Sequence, residues 1–257
     1  MSFTNSLMKK SLLSLSIASI ATFSTSVLAE VATQKKNYQE PTRGFFLEHG
    51  SVAASGQASV ELYTGSGLVN AEDNTRNGGG IRLGLPNAEL ILNSGLNGYD
   101  ENSALLKWGL PRQNAEGTEQ TPIIWSALIG LGHADIDSDA GDFKQTSLTL
   151  GIAASIKADA GLFTVAPKLV YTNGDISDET FFELDLGGYV GIIETEAGLF
   201  SVGAEALITT ADDRDTTIAL GMRWLYNERI NLDIVPFVFS DSDLVGVPGL
   251  VRLNIAF

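Results

Sequence analysis

Residues 147–156 read Ser-Leu-Thr-Leu-Gly-Ile-Ala-Ala-Ser-Ile, and large apolar side chains occupy alternate positions of this stretch. Leu148, Leu150 and Ile152 share one face, whereas small or hydroxylated residues occupy the other. Alternation of this kind has the period of a β-strand and not the helical period of about 3.6 residues. The stretch therefore predicts a strand with one apolar face and one face of small polar residues.

The same alternation continues along the chain from residue 57 to residue 257. Residues 216–226 give a second clear example, with Ile218, Leu220 and Met222 on one face and Gly221 and Arg223 on the other. We count about 12 predicted strands, with a range of 10 to 14. Several are longer than the usual soluble strand of about five or six residues and approach the roughly 9–11 that cross a bilayer. The predicted fold is all-β, an antiparallel up-and-down transmembrane β-barrel.

The residues opposite the apolar faces separate a membrane barrel from an ordinary β-sandwich. Many are Gly, Ser or Thr, whereas a solvated outer sheet face would carry more long charged side chains. The charged residues within the strands also fall opposite the apolar sets, and a charge facing lipid at mid-membrane would cost about 2–4 kcal/mol. The predicted lumen-lining charges are Glu61, Arg82, Glu89, Lys107, Lys168, Glu183, Asp185, Glu205, Arg223, Asp233 and Arg252.

The beginning of the chain has the features of a secretory signal peptide. Lys9 and Lys10 precede an apolar run over 11–24, and Val27-Leu28-Ala29 supplies small residues before a cleavage point. The apolar run is too short to span a bilayer, which takes about 20 residues. We predict a signal peptide over 1–29 with cleavage after Ala29. Residues 30–56 then form an N-terminal periplasmic segment, an extra strand or a short plug, and 57–257 form the barrel.

Aromatic residues are predicted to gather at one end of the barrel. If both chain ends lie in the periplasm, short periplasmic turns alternate with longer external loops, in which acidic residues concentrate. Aromatic side chains near the short turns then fall on the apolar face, as expected for an interfacial girdle. The predicted periplasmic girdle comprises Trp108, Trp125, Phe163, Phe200, Trp224 and Tyr226, with Phe257 at the carboxyl end.

The last strand carries a resemblance to a known class of proteins. Val251, Leu253, Ile255 and the terminal Phe257 alternate with polar or small residues. Together with the signal peptide and the alternating strands, this closing strand resembles those of bacterial, Gram-negative outer-membrane β-barrel proteins of porin-like type. The resemblance implies that Phe257 is part of the signal read by the barrel assembly machinery. It implies location in the outer membrane, in contact with lipid and lipopolysaccharide, but indicates no functional family.

Composition excludes several classes of function. The 257 residues have a formal net charge of −15, which weighs against nucleic-acid binding because that depends on basic side chains. The absence of Cys excludes disulfide scaffolds, thiolate metal sites and cysteine nucleophiles. We therefore expect no nucleic-acid partner.

No complete catalytic constellation is visible, and we predict that the protein is not an enzyme. His133 resembles in position the histidine of outer-membrane lipid hydrolases, but His133-Ala134-Asp135 lacks the serine two residues later. Glu183 and Asp185 share the lumen face, and such a pair could raise one pKa for acid–base catalysis. The nearly balanced lumen charges instead favour cross-strand pairing or a mildly selective pore. We assign no catalytic residue.

One acidic stretch has the oxygen spacing that a hard cation prefers. Asp135, Asp137, Asp139 and Asp142 are weak candidates for a loop-bound divalent cation, although the stretch departs from the helical-hairpin calcium loop. We expect no other cofactor. A solvated acidic loop is the alternative.

The size of the predicted barrel suggests what it does. About 12 strands lie between the filled eight-stranded barrels and the open channels of roughly 16 to 18 strands. Four aromatic residues, Tyr63, Phe181, Tyr189 and Phe237, are predicted to point inward. The leading hypothesis is a small passive channel for small hydrophilic solutes or ions, with a monomer favoured. The alternative is a closed structural or surface-interaction barrel whose acidic loops contact cations or lipopolysaccharide.

Overall fold

A computed structural model describes most of the chain between residues 41 and 257. The described residues are 41–65, 76–95, 99–110, 123–138, 141–158, 161–211, 216–227, 229–240, 243–246 and 249–257. The predicted signal peptide over 1–29, residues 30–40, Asp139 and the side chain of Asp137 lie outside this description.

The described residues form thirteen strands joined in one sheet. Their bounds are β1 Ala58–Gly65, β2 Arg76–Leu85, β3 Ala88–Gly95, β4 Tyr99–Gly109, β5 Ile123–Ser138, β6 Gly141–Ala158, β7 Gly161–Gly174, β8 Glu179–Thr195, β9 Gly198–Thr209, β10 Thr217–Leu225, β11 Ile230–Ser240, β12 Asp243–Gly246 and β13 Leu250–Ala256. None of the described residues belongs to a helix long and apolar enough to cross a membrane.

The sheet closes on itself as a barrel of twelve strands. Consecutive strands from β1 to β11 pair antiparallel, β11 pairs with β13, and β13 pairs with β1. Among the described residues, the four-residue β12 pairs with β11 alone, at the end of the barrel opposite Phe257, and extends the wall there. The prediction of an all-β, up-and-down barrel of about 12 strands is confirmed.

The wall is apolar outside, whereas its inner face combines polar and small residues with buried apolar ones such as Leu128, Val170 and Phe181. On β5, Ile129 and Leu131 are 52% and 64% exposed on the outer surface, while the intervening Gly130 faces the lumen opposite Thr149 of β6. All large apolar residues singled out in 147–156 are among the exposed ones. A soluble protein buries such side chains, whereas a membrane barrel turns them toward lipid.

One aromatic residue faces the opposite way from our prediction. Phe237 is 45% exposed on the outer face, where its ring lies against that of Phe239. The cause is a shift in register between β10 and β11, since Leu220 pairs with Phe237 but Met222 pairs with Ile234. The shift places an extra residue in β11 next to Pro236, which has no backbone N–H to donate to the ladder. The side-chain alternation is therefore reversed beyond the bulge.

The acidic stretch near Asp135 is not the long loop that we predicted. Strands β5 and β6 extend to Ser138 and Gly141, so Asp135 and Asp142 both lie within strands. Asp135 is opposite Lys144, and the two side chains form an exposed ion pair at 3.3 Å. The β5–β6 hairpin is long because the backbone pairing of the two strands continues past their apolar residues and through the acidic ones.

Residues 41–57 neither form a strand nor lie outside the barrel. Their ladder-type pairing is limited to an isolated bridge between Arg43 and Glu48. Phe45 and Leu47 are fully buried, and Arg43 and His49 nearly so. The segment lies inside the barrel, toward the end with the short turns, and we call it the lumen plug.

Candidate functional site

The lumen plug is a compact turn held by its own backbone. The N–H of Gly44 donates to the carbonyl of Leu47 at 2.8 Å, and the N–H of His49 donates to that of Thr42 at 3.0 Å. These bonds fold 42–49 into a loop with Phe45 and Phe46 at its tip. The loop presents Arg43 and Glu48 side by side to the wall.

Six charged side chains join the plug to strands β1 to β4. We call this set the ion cluster, and it consists of Arg43, Glu48, Glu61, Arg82, Glu89 and Lys107. Arg43 Nε lies 2.5 Å from Glu61, and Lys107 Nζ lies 3.0 Å from Glu48 and 3.2 Å from Glu89. Arg82 is the hub, because it contacts Glu48 at 2.5 Å, Glu61 at 2.7 Å and Glu89 at 3.1 Å.

The ion cluster is balanced in charge and largely buried. It contains three acids and three bases, and the side chains of Glu89 and Lys107 have no exposed surface. Removing one partner from a buried group of this kind typically costs about 3–5 kcal/mol. Burial by itself would raise the pKa of Glu48, but Arg82 and Lys107 outweigh it and hold that pKa well below its ordinary value. Glu48 is therefore ionised within the ion cluster.

The tip of the plug sits on a single carboxylate of β9. Glu205 accepts hydrogen bonds from three successive backbone N–H groups, those of Phe45 at 2.6 Å, Phe46 at 2.7 Å and Leu47 at 3.1 Å. The hydroxyl of Tyr189 also donates to Glu205 and accepts from the N–H of Phe45. We call Glu205 and Tyr189 the plug seat. Hydrogen bonds to a charged group are the stronger kind, contributing about 1.5–3 kcal/mol each.

Two arginines, on β10 and β13, also hold the plug. Arg223 forms a two-bond ion pair with Asp233, at 2.7 and 3.0 Å, and its Nη1 donates to the carbonyl of Arg43 at 3.1 Å. The guanidinium of Arg223 also lies 4.6 Å from the ring centre of Tyr189. Arg252 donates to the carbonyl of Gly44 at 3.4 Å. Asp233 therefore orients Arg223 toward both the plug and its seat.

His49 is a structural residue of the plug. Its Nδ1 lies 3.1 Å from the carbonyl oxygen of Pro41, and its ring makes an edge contact with Tyr189. Burial, reinforced by the nearby Arg223 and Lys107, lowers the pKa of His49 well below its ordinary value, so the ring is neutral. The neighbouring N–H of Gly50 donates to Ser155 at 2.8 Å. These contacts anchor the plug to the wall on the β6 side.

Close packing at the tip makes Gly44 the position at which a side chain would disturb the seat most directly. A Cβ there would fall inside the contact distance of the Glu205 carboxylate and the Tyr189 hydroxyl. We expect Gly44→Ala to lift the tip and expose residues 45–47. Limited proteolysis of the refolded barrel should then cleave the plug faster than in wild type. Ser55→Ala, at the exposed end of the plug, is the matched control; equal cleavage of both variants would contradict this account.

A second group of charges lies farther from the plug, toward the long-loop end. Lys168 contacts Glu183 at 2.8 Å and also pairs with Asp185. The side chains of Lys168 and Glu183 retain 15% and 18% of their exposure, unlike the dry centre of the ion cluster. This part of the lumen reaches solvent, and glycines such as Gly130 and Gly151 line its wall.

All eleven predicted lumen charges point into the barrel. Seven of them contact the plug directly: Glu61, Arg82, Glu89, Lys107, Glu205, Arg223 and Arg252. Asp233 acts on the plug through Arg223, and Lys168, Glu183 and Asp185 form the separate group. Arg43 and Glu48 of the plug were not predicted as site residues. The sequence signal that could have revealed them is the placement of two opposite charges, Arg43 and Glu48, on either side of the apolar stretch 45–47.

The predicted aromatic residues lie on the outer face near the short turns. Trp108, Trp125 and Phe163 are 54%, 38% and 47% exposed. Phe200 stacks on Trp224 with ring centres 5.7 Å apart, and Trp224 makes an edge contact with Tyr226. Phe257 is 70% exposed, and its N–H donates to the carbonyl of Ala58 at the barrel seam. This arrangement suits a membrane interface.

The remaining candidates do not converge on a site. His133 is exposed on the outer face of β5, opposite Asn102 and Thr146. Among the described residues, no group of three or more His, Asp or Glu side chains is arranged to hold a metal ion. Asp135 is paired with Lys144, and Asp142 is exposed.

Among known proteins, the chain is similar to solved structures of outer-membrane channels and porins. No protein-family model matches the chain, and no curated protein matches it. An outer-membrane channel from Pseudomonas putida F1 is similar with a TM-score of 0.45 and 14% identity, over 80% of this chain and 95% of that one. OccK3 of Pseudomonas aeruginosa has a TM-score of 0.35 and 10% identity, over 76% and 60%.

A BenF-like porin from Pseudomonas fluorescens Pf-5 has a TM-score of 0.33 and 11% identity, over 76% of this chain and 58% of the porin. The chain thus spans less than two thirds of the length of the last two proteins. At these identities and scores, the comparisons assign no activity to this chain.

Proposed function

We propose that this protein is an outer-membrane channel for small hydrophilic solutes or ions, narrowed at its short-turn end by the lumen plug. The observation that carries the proposal is the distribution of side chains across the wall. Eleven strand charges face the lumen, and large apolar side chains cover the outside. A wall of this kind separates lipid from a polar interior, which is the requirement for an aqueous path.

The lumen beyond the plug supports the same proposal. Lys168 and Glu183 are partly exposed there, beside glycines such as Gly151 and the buried apolar cluster of Val170 and Phe181. A solute can enter such a space and leave it, because weak binding is what conduction requires. In this proposal the chain is inserted by the barrel assembly machinery after cleavage following Ala29. It then acts as a monomer surrounded by lipid and lipopolysaccharide.

The plug supports one alternative, a closed structural or surface-interaction barrel. Phe45 and Leu47 are fully buried in the lumen, and the ion cluster beside them is largely buried. A plug that never moves would close the short-turn end. The two functions differ in a single measurable property, which is conductance.

We expect the refolded chain to give small, stable conductance steps in a planar bilayer. Heat-modifiable mobility on a gel confirms that the barrel has formed. In a salt gradient, Glu183→Gln should shift the reversal potential toward anion preference, because it removes a negative charge from the lumen. Glu194→Gln, at an exposed position of β8, is the matched control and should leave the potential unchanged. A folded but silent barrel would overturn the channel and favour the alternative.

A further inference from the structure

A row of hydrogen-bonding side chains crosses the outer face of strands β3 to β7 at the long-loop end of the barrel. Each member lies directly opposite the next in the antiparallel ladders, and all of them are exposed. We call this row the polar band, and it consists of Ser94, Asn102, His133, Thr146 and Asn173. Because neighbouring strands lie about 4.8 Å apart, the band is about 19 Å wide.

The next outward-facing row toward the middle of the membrane is apolar on the same strands. Its members are again paired across the ladders, and they are Leu92, Ala104, Leu131, Leu148 and Tyr171. Leu131 and Tyr171 are 64% and 44% exposed on the outer face, as residues that contact lipid are. The polar band is therefore continuous with the lipid-facing wall, and a molecule that covers both rows is amphipathic.

Hydrogen bonds within the polar band orient its side chains. Ser94 Oγ donates to Oδ1 of Asn102 at 2.8 Å, and the amide of Asn102 still has its NH2 group to donate. Thr146 Oγ1 donates to the carbonyl of Asn173 at 2.8 Å, and its oxygen can still accept. His133 lies between Asn102 and Thr146, and its ring adds hydrogen-bonding nitrogens. The band therefore presents both donors and acceptors, which suits hydroxyl and amide groups.

The charges on the other side of the polar band disfavour an anionic head group. Lys144 forms an exposed ion pair with Asp135 at 3.3 Å, and its backbone N–H donates to the carboxylate of Asp175 at 2.9 Å. Two carboxylates thus accompany one ammonium group. A phosphate placed there meets like charges, whereas a neutral sugar does not.

We propose that the polar band binds the sugar head group of a glycolipid of the outer leaflet, with the acyl chains lying along the apolar row. Lipopolysaccharide has this chemistry, because its lipid A anchor is a disaccharide that carries acyl chains directly. The inference rests on the outer-membrane placement in the proposed function, with the long-loop end facing outward, but not on conduction. A silent barrel can therefore bind the glycolipid, and a conducting barrel can fail to bind it.

The test is native mass spectrometry of the refolded full chain in detergent, titrated with lipid A. Two comparators separate the contributions of the head group. Monophosphoryl lipid A keeps the sugar but lacks one phosphate, and phosphatidylethanolamine has acyl chains and a phosphate without a sugar. We expect lipid A and monophosphoryl lipid A to bind with comparable affinity, and phosphatidylethanolamine to bind at least several-fold more weakly.

Matched variants locate the surface. Thr146→Val and His133→Leu remove hydrogen-bonding groups from the polar band, and apolar replacements are compatible with a lipid-facing wall. Each should weaken lipid A binding about threefold to tenfold, the equivalent of one net hydrogen bond. Thr64→Val is the control, because Thr64 follows the exposed Val60 and Leu62 on the outer side of β1, near the same end but outside the band. It should leave the affinity unchanged.

Each contrary outcome would overturn the proposal. Absence of bound lipid A, on a barrel whose heat-modifiable mobility shows that it is folded, means that the polar band holds no such lipid. Equal binding of phosphatidylethanolamine means that this surface is ordinary lipid-facing wall. Much weaker binding of monophosphoryl lipid A means that phosphate, and not the sugar, is recognised. Equal weakening by Thr146→Val and Thr64→Val means that lipid A binds elsewhere on the barrel.

Discussion

Replacing Glu205 by alanine is expected to free the lumen plug from its seat. The substitution leaves the backbone N–H groups of Phe45, Phe46 and Leu47 without their acceptor. Each buried donor left unpaired costs about 1–3 kcal/mol, which together exceeds the free energy of most single contacts in the lumen. The plug should therefore exchange between seated and released positions, and the time-averaged lumen should widen.

Release of the plug can be measured without ambiguity because the chain contains no cysteine. Leu47→Cys places one thiol at a fully buried position of the plug. In an otherwise unchanged barrel this thiol should resist a water-soluble maleimide. In the Glu205→Ala background we expect labelling to accelerate by roughly a hundredfold, corresponding to about 3 kcal/mol. Single-channel conductance should increase in parallel.

Two further variants show whether the effect belongs to the seat. Glu205→Gln keeps one acceptor oxygen and should give an intermediate labelling rate. Glu183→Ala removes a lumen carboxylate that pairs with Lys168 and should leave the introduced thiol protected. Protection of the thiol in Glu205→Ala would mean that the ion cluster alone retains the plug.

The barrel wall could be predicted from sequence because its pattern is local. The alternation in 147–156 requires only that one face meets lipid and the other the lumen, and β6 follows it without interruption. The same alternation predicts that Glu61 and Arg82 face the lumen, where both are buried. It failed at Phe237, because the bulge beside Pro236 reverses the alternation and depends on how β10 and β11 pair.

The plug could not be predicted in this way. Residues 41–57 have no strand periodicity, and their partners are far away in sequence. Phe45 binds Tyr189 and Glu205 at separations of 144 and 160 residues, and Arg252 reaches Gly44 at 208. Such contacts exist only after the barrel has closed. Near balance of the lumen charges predicts cross-strand ion pairs, whereas Glu205 is held by N–H and O–H donors.

The second large effect is expected at Arg82, the hub of the ion cluster. Arg82→Met keeps much of the side-chain volume but removes the cation shared by Glu48, Glu61 and Glu89. Three buried carboxylates then share Arg43 and Lys107, and the cluster carries an excess negative charge. Loss of one partner from a buried group costs about 3–5 kcal/mol. We expect both faster maleimide labelling of the thiol introduced by Leu47→Cys and a lower temperature for the heat-induced gel shift.

A compensating substitution separates charge from packing. Arg82→Met combined with Glu48→Gln restores equal numbers of acids and bases, leaving Arg43 with Glu61 and Lys107 with Glu89. We expect the double variant to recover most of the lost barrel stability, since balanced buried pairs need not be costly to remove. Because Glu48 is one of the plug's two charges in the cluster, the plug should remain looser than in wild type. If the double variant is no more stable than Arg82→Met, packing of the arginine stem, and not charge balance, holds this end of the barrel together.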